Sequence, residues 1–120
     1  MSSRYRGYSL KSDFRIGKGK GLADEVYRLT LQIPEGRVST YGAIATALRK
    51  ERASRAVGMA LHLNTDSPRI PCHRVVYHDG RVGGYDKGIE MKTRLLRKEC
   101  IAVKGDRIQN FEEMLFIDFV

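Results

Sequence analysis

Apolar residues at Leu22, Val26, Leu29 and Ile33 recur in steps of four, three and four, the spacing that lines one face of an α-helix. Pro34 and Gly36 end the pattern, because proline lacks the N–H a helix interior uses and glycine favours a helix stop. In the next stretch, "RVSTYGAIATALRK", Ser39 or Thr40 can cap a second helix whose inward stripe is Ile44, Ala47 and Leu48. A polar break, Lys50-Glu51-Arg52, precedes a third helix, "ASRAVGMALHLN", with Val57, Ala60 and Leu61 on one face and its end at Asn64. Two short helices across a tight turn suggest a helix-turn-helix. The small residues of the third helix (Ala53, Ala56, Gly58, Ala60) allow close approach either to a packed helix or to another surface.

The second half changes period. "TDSPRIP" reads as an extended loop, and "CHRVVYHDGRVGGY" as a hairpin that alternates about Val75 and Tyr77, turns at Asp79-Gly80 and continues at Val82. "IEMKTRLLRKE" is an amphipathic helix with Met91, Leu95 and Leu96 inward, and "CIAVKGDRIQNF" a second hairpin turning at Gly105-Asp106. The pattern therefore predicts a mainly α fold with small β-hairpins: a single domain resembling a winged helix-turn-helix, over residues 21–120. Residues 1–20 carry Arg4, Arg6, Lys11, Arg15, Lys18 and Lys20 against one acid, Asp13, and read as a basic N-terminal arm with some phosphate contact.

Charge sharpens this picture. The chain has 120 residues, enough for one domain with a modest core, and 22 Lys+Arg against 14 Asp+Glu give it a net charge of +8. Such a field favours a polyanion, most often nucleic acid. No run of eighteen apolar residues offers a membrane span, and the basic N-terminus lacks the apolar segment of a secretory signal. Cys72 and Cys100 are too few for a disulfide scaffold, so reduced thiols and an intracellular setting are expected: the cytoplasm and its nucleoid in a prokaryote. Neither cysteine lies in a CxxC, and the three histidines do not cluster at ligand spacing, which argues against zinc.

The chemistry concentrates in "IPCHRVV". A thiol reacts as its thiolate, and the neighbouring His73 and Arg74 are the kind of groups that lower a thiol pKa. On a strand, however, adjacent side chains point to opposite faces, so a direct Cys72–His73 contact needs a turn or a bridging water. The residues alone also allow Cys72 to be a small buried hydrophobe.

"IPCHRVV" followed by "GRVGGYDKG" resembles the active-site motif of the O6-alkylguanine-DNA alkyltransferases, the methylated-DNA–protein-cysteine methyltransferases. The resemblance extends to Thr40-Tyr41 for the family's DNA-binding tyrosine and to "RAVG" (Arg55-Ala56-Val57-Gly58) for its arginine finger. Asn64, eight residues before the cysteine, matches the hinge asparagine, and Glu99 the glutamate ending the helix after the motif. It covers roughly residues 20–105, the C-terminal active-site domain of longer members.

What the resemblance implies is a repair protein that transfers an alkyl group irreversibly from guanine O6 to its own Cys72, acting once. His73 would act through a water, with Glu99 orienting it, in the logic of a hydrolase triad. Tyr41 would protonate the leaving guanine or bind its edge or phosphate. The target atom is inaccessible in a stacked duplex, so the nucleotide must be flipped out, with Arg55 filling the gap. Thr40, Ala56, Gly58, Asn64 and Arg74 would join Tyr41 and Arg55 at the DNA; Tyr85, Asp86 and the main chain of Cys72 and Val75 would line the base pocket. The implied partner is double-stranded DNA containing O6-alkylguanine, bound by a monomer with no metal or organic cofactor and with other repair proteins as possible associates. His62 and His78 have no place in these motifs and read as surface or packing residues.

Two departures bear on this. Only about twenty residues precede the first helix, where longer members carry an N-terminal domain. That is also the shape of alkyltransferase-like proteins, which bind and flip the alkylated base but replace the cysteine; this chain keeps Cys72. Asp86 stands where active members often have a serine that helps hold the guanine oxygen, and an inward carboxylate there would repel O6.

Overall fold

Thr40 starts the central helix pair by a local device. Its hydroxyl oxygen accepts the Ala43 N–H at 2.9 Å, satisfying one of the donors that a helix start leaves open. In the computed structural model, which describes residues 21–85 and 87–120, this cap joins β1 (Ser39–Thr40) to α2 (Tyr41–Ala47). Before them lies α1 (Leu22–Thr30) and after them α3 (Ser54–His62). A 3-10 turn (Cys72–Arg74) leads into β2 (Val75–Val76), then α4 (Ile89–Lys98), β3 (Val103–Lys104), β4 (Arg107–Ile108) and the short α5 (Phe111–Met114). The basic arm expected over residues 1–20, and Asp86, lie outside the described residues.

α1 carries Asp24 and Glu25 in its first turn and Arg28 in its last, the polarity that suits the helix dipole. It buries Val26 and Leu29, and the Tyr27 hydroxyl donates to the Ala60 carbonyl at 2.7 Å, tying α1 to α3. α3 turns Val57, Ala60 and Leu61 inward as its pattern predicts. α2 differs: Ile44 and Ala45 are buried, Leu48 is half-buried and Ala47 is exposed, because Ala47 lies in a last turn that stands out into solvent. α4 differs too. Leu96 is buried, but Met91 and Leu95 are only half-buried, and the second wholly buried side chain is Lys92.

The predicted hairpin at 72–85 is not formed. Val75 and Val76 pair in parallel with Ser39 and Thr40, a partner more than thirty residues earlier. The turn at Asp79-Gly80 is real, with Gly80 N–H donating to Tyr77 O at 3.0 Å and Tyr77 N–H to Arg81 O at 2.9 Å, but it closes a loop instead of a ladder. The second hairpin is as expected, with Val103 opposite Ile108 and Lys104 opposite Arg107. Alternation along β2 then divides the core. Val75 joins α1, α2, α3, Ile70 and Cys72 on one side; Val76 joins Val38, Val82, Leu96, Ile101, Val103 and Ile108 on the other. The C-terminal segment, to which the pattern assigned no element, clasps the first side: Phe116 N–H donates to Val38 O at 2.7 Å, and Phe116 and Phe119 pack on that core. Among the described residues no helix is long and apolar enough to cross a membrane.

Candidate functional site

Pro71 and the 3-10 turn settle how Cys72 and His73 can act together. A turn, unlike a strand, does not throw adjacent side chains to opposite faces, and both residues are buried, at 5% and 2% exposure. Cys72 lines a cavity of about 1080 Å³ between α3 and the loop after β2, together with Tyr41, Arg55, Gly58 and Tyr85. His73 lies behind it. Its Nε2 is 2.9 Å from Glu99 Oε2, while its Nδ1 is buried with no hydrogen-bond partner among the described residues. Burial pushes the His73 pKa below its usual value, against the opposing pull of the Glu99 hydrogen bond and charge. A neutral imidazole with an open nitrogen can accept a proton.

Glu99 follows α4 and holds two partners, the Arg74 guanidinium and the His73 imidazole. Burial works to raise its pKa, but the hydrogen bonds from Arg74 and His73 outweigh that and hold its carboxyl below the ordinary value. The Arg74 guanidinium grips both carboxylate oxygens, at 2.9 and 2.7 Å, and donates to Ile33 O at 2.7 Å. Arg74, expected at the DNA, is thus turned away from the cavity and orients the glutamate that orients His73. Val75 N–H closes the 3-10 turn on Cys72 O, so that amide is already engaged. Thr40 is buried with its hydroxyl in the helix cap.

The remaining expected residues divide in the same way. Arg55 and Ala56 are exposed near the start of α3, and Arg55 lines the cavity. Gly58 faces the Tyr41 ring, where an added Cβ would stand at ordinary contact distance, 3.7 Å. Asn64 is buried and braces the loop before Cys72: its amide donates to Ile70 O at 3.0 Å and its oxygen accepts Asp66 N–H at 2.8 Å. The Tyr85 and Ser67 hydroxyls hydrogen-bond, fixing that ring against the same loop. Asp86 lies outside the described residues.

Lys92 is the residue the sequence reading missed. It is 0% exposed, and its ammonium donates to Gly84 O at 3.0 Å and reaches the Tyr41 hydroxyl at 3.5 Å. Burial pushes its pKa down to about 8, while negative charge at Cys72 favours its protonated form. Burial, with help from Tyr77 and Cys72, raises Tyr41 to about 12, so its hydroxyl keeps its proton at neutral pH. The signal was available: Lys92 stands three and four residues before Leu95 and Leu96, a lysine on an apolar stripe.

Fold and site together define a helix-turn-helix protein built around one buried cysteine backed by a histidine–glutamate pair. Residues 22–101 match the family model described as 6-O-methylguanine DNA methyltransferase, DNA binding domain. The chain belongs to that family. It is 47% identical over 83 residues to a bifunctional methyltransferase/endonuclease of Picrophilus torridus, a match covering 69% of this chain and 28% of the relative. It is 40% identical over 82 residues to the methylated-DNA–protein-cysteine methyltransferase of Methanosarcina barkeri, covering 68% of this chain and 52% of that one. The chain thus spans about half or less of the length of these curated relatives. Among solved structures it resembles Schizosaccharomyces pombe Atl1 in complex with damaged DNA containing O6-carboxymethylguanine, with a TM-score of 0.71, 27% identity, and coverage of 78% of this chain and 93% of that one.

Proposed function

We propose that this chain repairs O6-alkylguanine in double-stranded DNA by accepting the alkyl group on Cys72, and that residues 21–120 form the alkyltransferase domain, equivalent to the C-terminal active-site part of longer members. The observation that carries the reading is the stacking of roles along one line: Arg55 at the mouth of the cavity, Cys72 in its wall, and the His73–Glu99–Arg74 chain behind. The Cys72 proton passes toward His73 Nδ1 through a bridging water, and Glu99 stabilises the imidazolium that forms. Sγ then attacks the alkyl carbon. The S–C bond forms as the C–O6 bond breaks, and the guanine leaves with the electron pair and takes a proton from Tyr41. Lys92 opposes the negative charge that moves from sulfur to guanine to Tyr41 oxygen. The thioether is stable, so each molecule acts once. Arg55 occupies the gap left by the extruded nucleotide, and the setting is intracellular.

The test is intact protein mass after incubation with an O6-methylguanine duplex. The expected result is one added methyl group on Cys72, and Cys72→Ala should bind the duplex with no gain. The likeness to Atl1 over 93% of that chain favours one second reading, a sensor that binds the flipped base without transfer. Unchanged mass with the duplex bound would select it.

A further inference from the structure

Among the described residues two buried side-chain polar atoms lack a hydrogen-bond partner: His73 Nδ1 and the Ser39 hydroxyl. Ser39 is wholly enclosed, at 0% exposure. Buried polar groups are satisfied by protein or by ordered water, so both atoms suit a small polar guest. Topology puts them beside the same thiol. Ser39 on β1 stands in parallel register with Val75 on β2, so their side chains share one face of the strand pair. Residues three apart in a 3-10 turn eclipse, which brings Cys72 onto the face of Val75, and both belong to the core shared by α1, α2 and α3. Ser39 therefore stands on the Cys72 face. The segment leading into β1 also lies against the chain behind His73. Arg74, which grips Glu99, donates to Ile33 O at 2.7 Å, and a Cβ added at Gly36 would stand 3.8 Å from the Glu99 main-chain carbonyl. Neither Ser39 nor His73 lines the cavity, so a molecule held between them is one that an incoming base does not displace.

We propose that Ser39 is a positioning residue for alkyl transfer: its hydroxyl and His73 Nδ1 together hold the buried water that takes the Cys72 proton. The inference rests on the proposed transfer to Cys72 and names the group that fixes its bridging water. The water accepts hydrogen bonds from the Ser39 hydroxyl and the Cys72 thiol and donates one to His73 Nδ1, three bonds in all, the usual number for a buried water. As Cys72 gives its proton to the water, the water gives one of its own to Nδ1. The water is regenerated, the sulfur becomes a thiolate, and the imidazole becomes an imidazolium opposed by Glu99. Ser39 donates throughout and keeps the oxygen aimed at the thiol.

The experiment is single-turnover methyl transfer from an O6-methylguanine duplex by the wild type, Ser39→Ala and Ser39→Thr, with circular dichroism confirming each fold. A positioned proton acceptor contributes at least a hundredfold, so loosening its water should slow Ser39→Ala about tenfold at saturating duplex. The half-saturating duplex concentration should not change, because Ser39 does not line the cavity. Ser39→Thr keeps the hydroxyl and should stay within about threefold of the wild type. A wild-type rate in Ser39→Ala, with an equal or higher Tm, would mean a hydroxyl that holds nothing and overturns the proposal. Equal slowing in both variants overturns it too, since packing would then be the cause. Should a variant fail to fold, a crystal structure of the wild type decides: one ordered water within hydrogen-bond distance of Ser39 Oγ, His73 Nδ1 and Cys72 Sγ is expected, and a site without it, or a water out of reach of Ser39, refutes the assignment. Protein mass separates the two readings. A wild type that gains no methyl group sinks transfer itself, whereas a methylated wild type with an indifferent Ser39→Ala sinks Ser39 alone.

Discussion

Lys92 sets the terms at the scale of single residues. A wholly buried ammonium is costly unless a charge opposes it, and the group in its surroundings that can supply one is Cys72, once its thiol has given up the proton. Lys92→Met keeps the length and removes the charge. It is expected to slow alkyl transfer at least about tenfold, equivalent to roughly 1.4 kcal/mol, while leaving Tm unchanged or higher. The pH dependence follows from the direction of the shift. The folded value, about 8, lies below the ordinary 10.5, so between them the unfolded chain binds a proton that the folded one does not. Wild-type stability should therefore gain as pH rises through that window, and the variant should lack this gain. Transfer should show the opposite trend, with the wild type losing the Lys92 contribution as pH rises through about 8. A variant that transfers at the wild-type rate would remove Lys92 from the site. His73 acts at the acid end: its depressed pKa means the unfolded chain protonates first as pH falls, so stability declines below the ordinary imidazole value.

At the scale of elements, the roles of α3 and of the link from α4 to the 3-10 turn can be separated. Arg55 is an exposed helix residue, so Arg55→Ala should change stability by no more than about 0.5 kcal/mol. On the proposed role of Arg55 as the plug of an unstacked site, its loss should slow repair of duplex DNA about tenfold or more, with single-stranded substrate less affected. Equal rates on duplex for variant and wild type would remove the plug. Glu99→Gln should do what Arg55→Ala does not. It leaves the Arg74 guanidinium without its carboxylate, costing on the order of 3 kcal/mol by thermal melting, and it frees His73 from its orienting bond. What the sequence made legible follows from distance along the chain. The inward faces of α1 and α3 and the β3–β4 hairpin depend on neighbours within a few residues, and period and turn chemistry revealed them. The geometry of Cys72 was not legible, because β2 takes its partner from β1 across the whole helix pair, and Cys72 and His73 sit in a 3-10 turn instead of a hairpin strand. The direction of Arg74 was hidden for the same reason: its acceptors, Glu99 and Ile33, lie 25 and 41 residues away.

At the scale of the whole molecule, the two cores need a common closure, and the C-terminal segment supplies it. Val38 N–H donates to Met114 O at 3.0 Å and Phe116 N–H to Val38 O at 2.7 Å, placing the segment beside the entry to β1. Farther along, the Gln32 side chain accepts Val120 N–H at 2.8 Å, and Arg28 donates to Val120 O at 3.0 Å. Phe116 and Phe119 meet edge to face at 5.2 Å and pack on the core shared by α1, α2 and α3. This closure stands apart from the cavity, since neither phenylalanine lines it. Phe116→Ala should therefore act on stability and not on chemistry. A wholly buried phenylalanine costs about 3–5 kcal/mol when truncated, and half-buried Phe116 about 2 kcal/mol, a fall in Tm of roughly 8–16 °C for a domain near this size. Single-turnover transfer to Cys72, measured well below the lowered Tm, should match the wild type within about twofold, because β1–β2, the 3-10 turn and the His73–Glu99 contact do not include Phe116. A rate that falls while circular dichroism still shows the native fold would mean that the segment positions β1, and through it Cys72, and that closure and site are one unit.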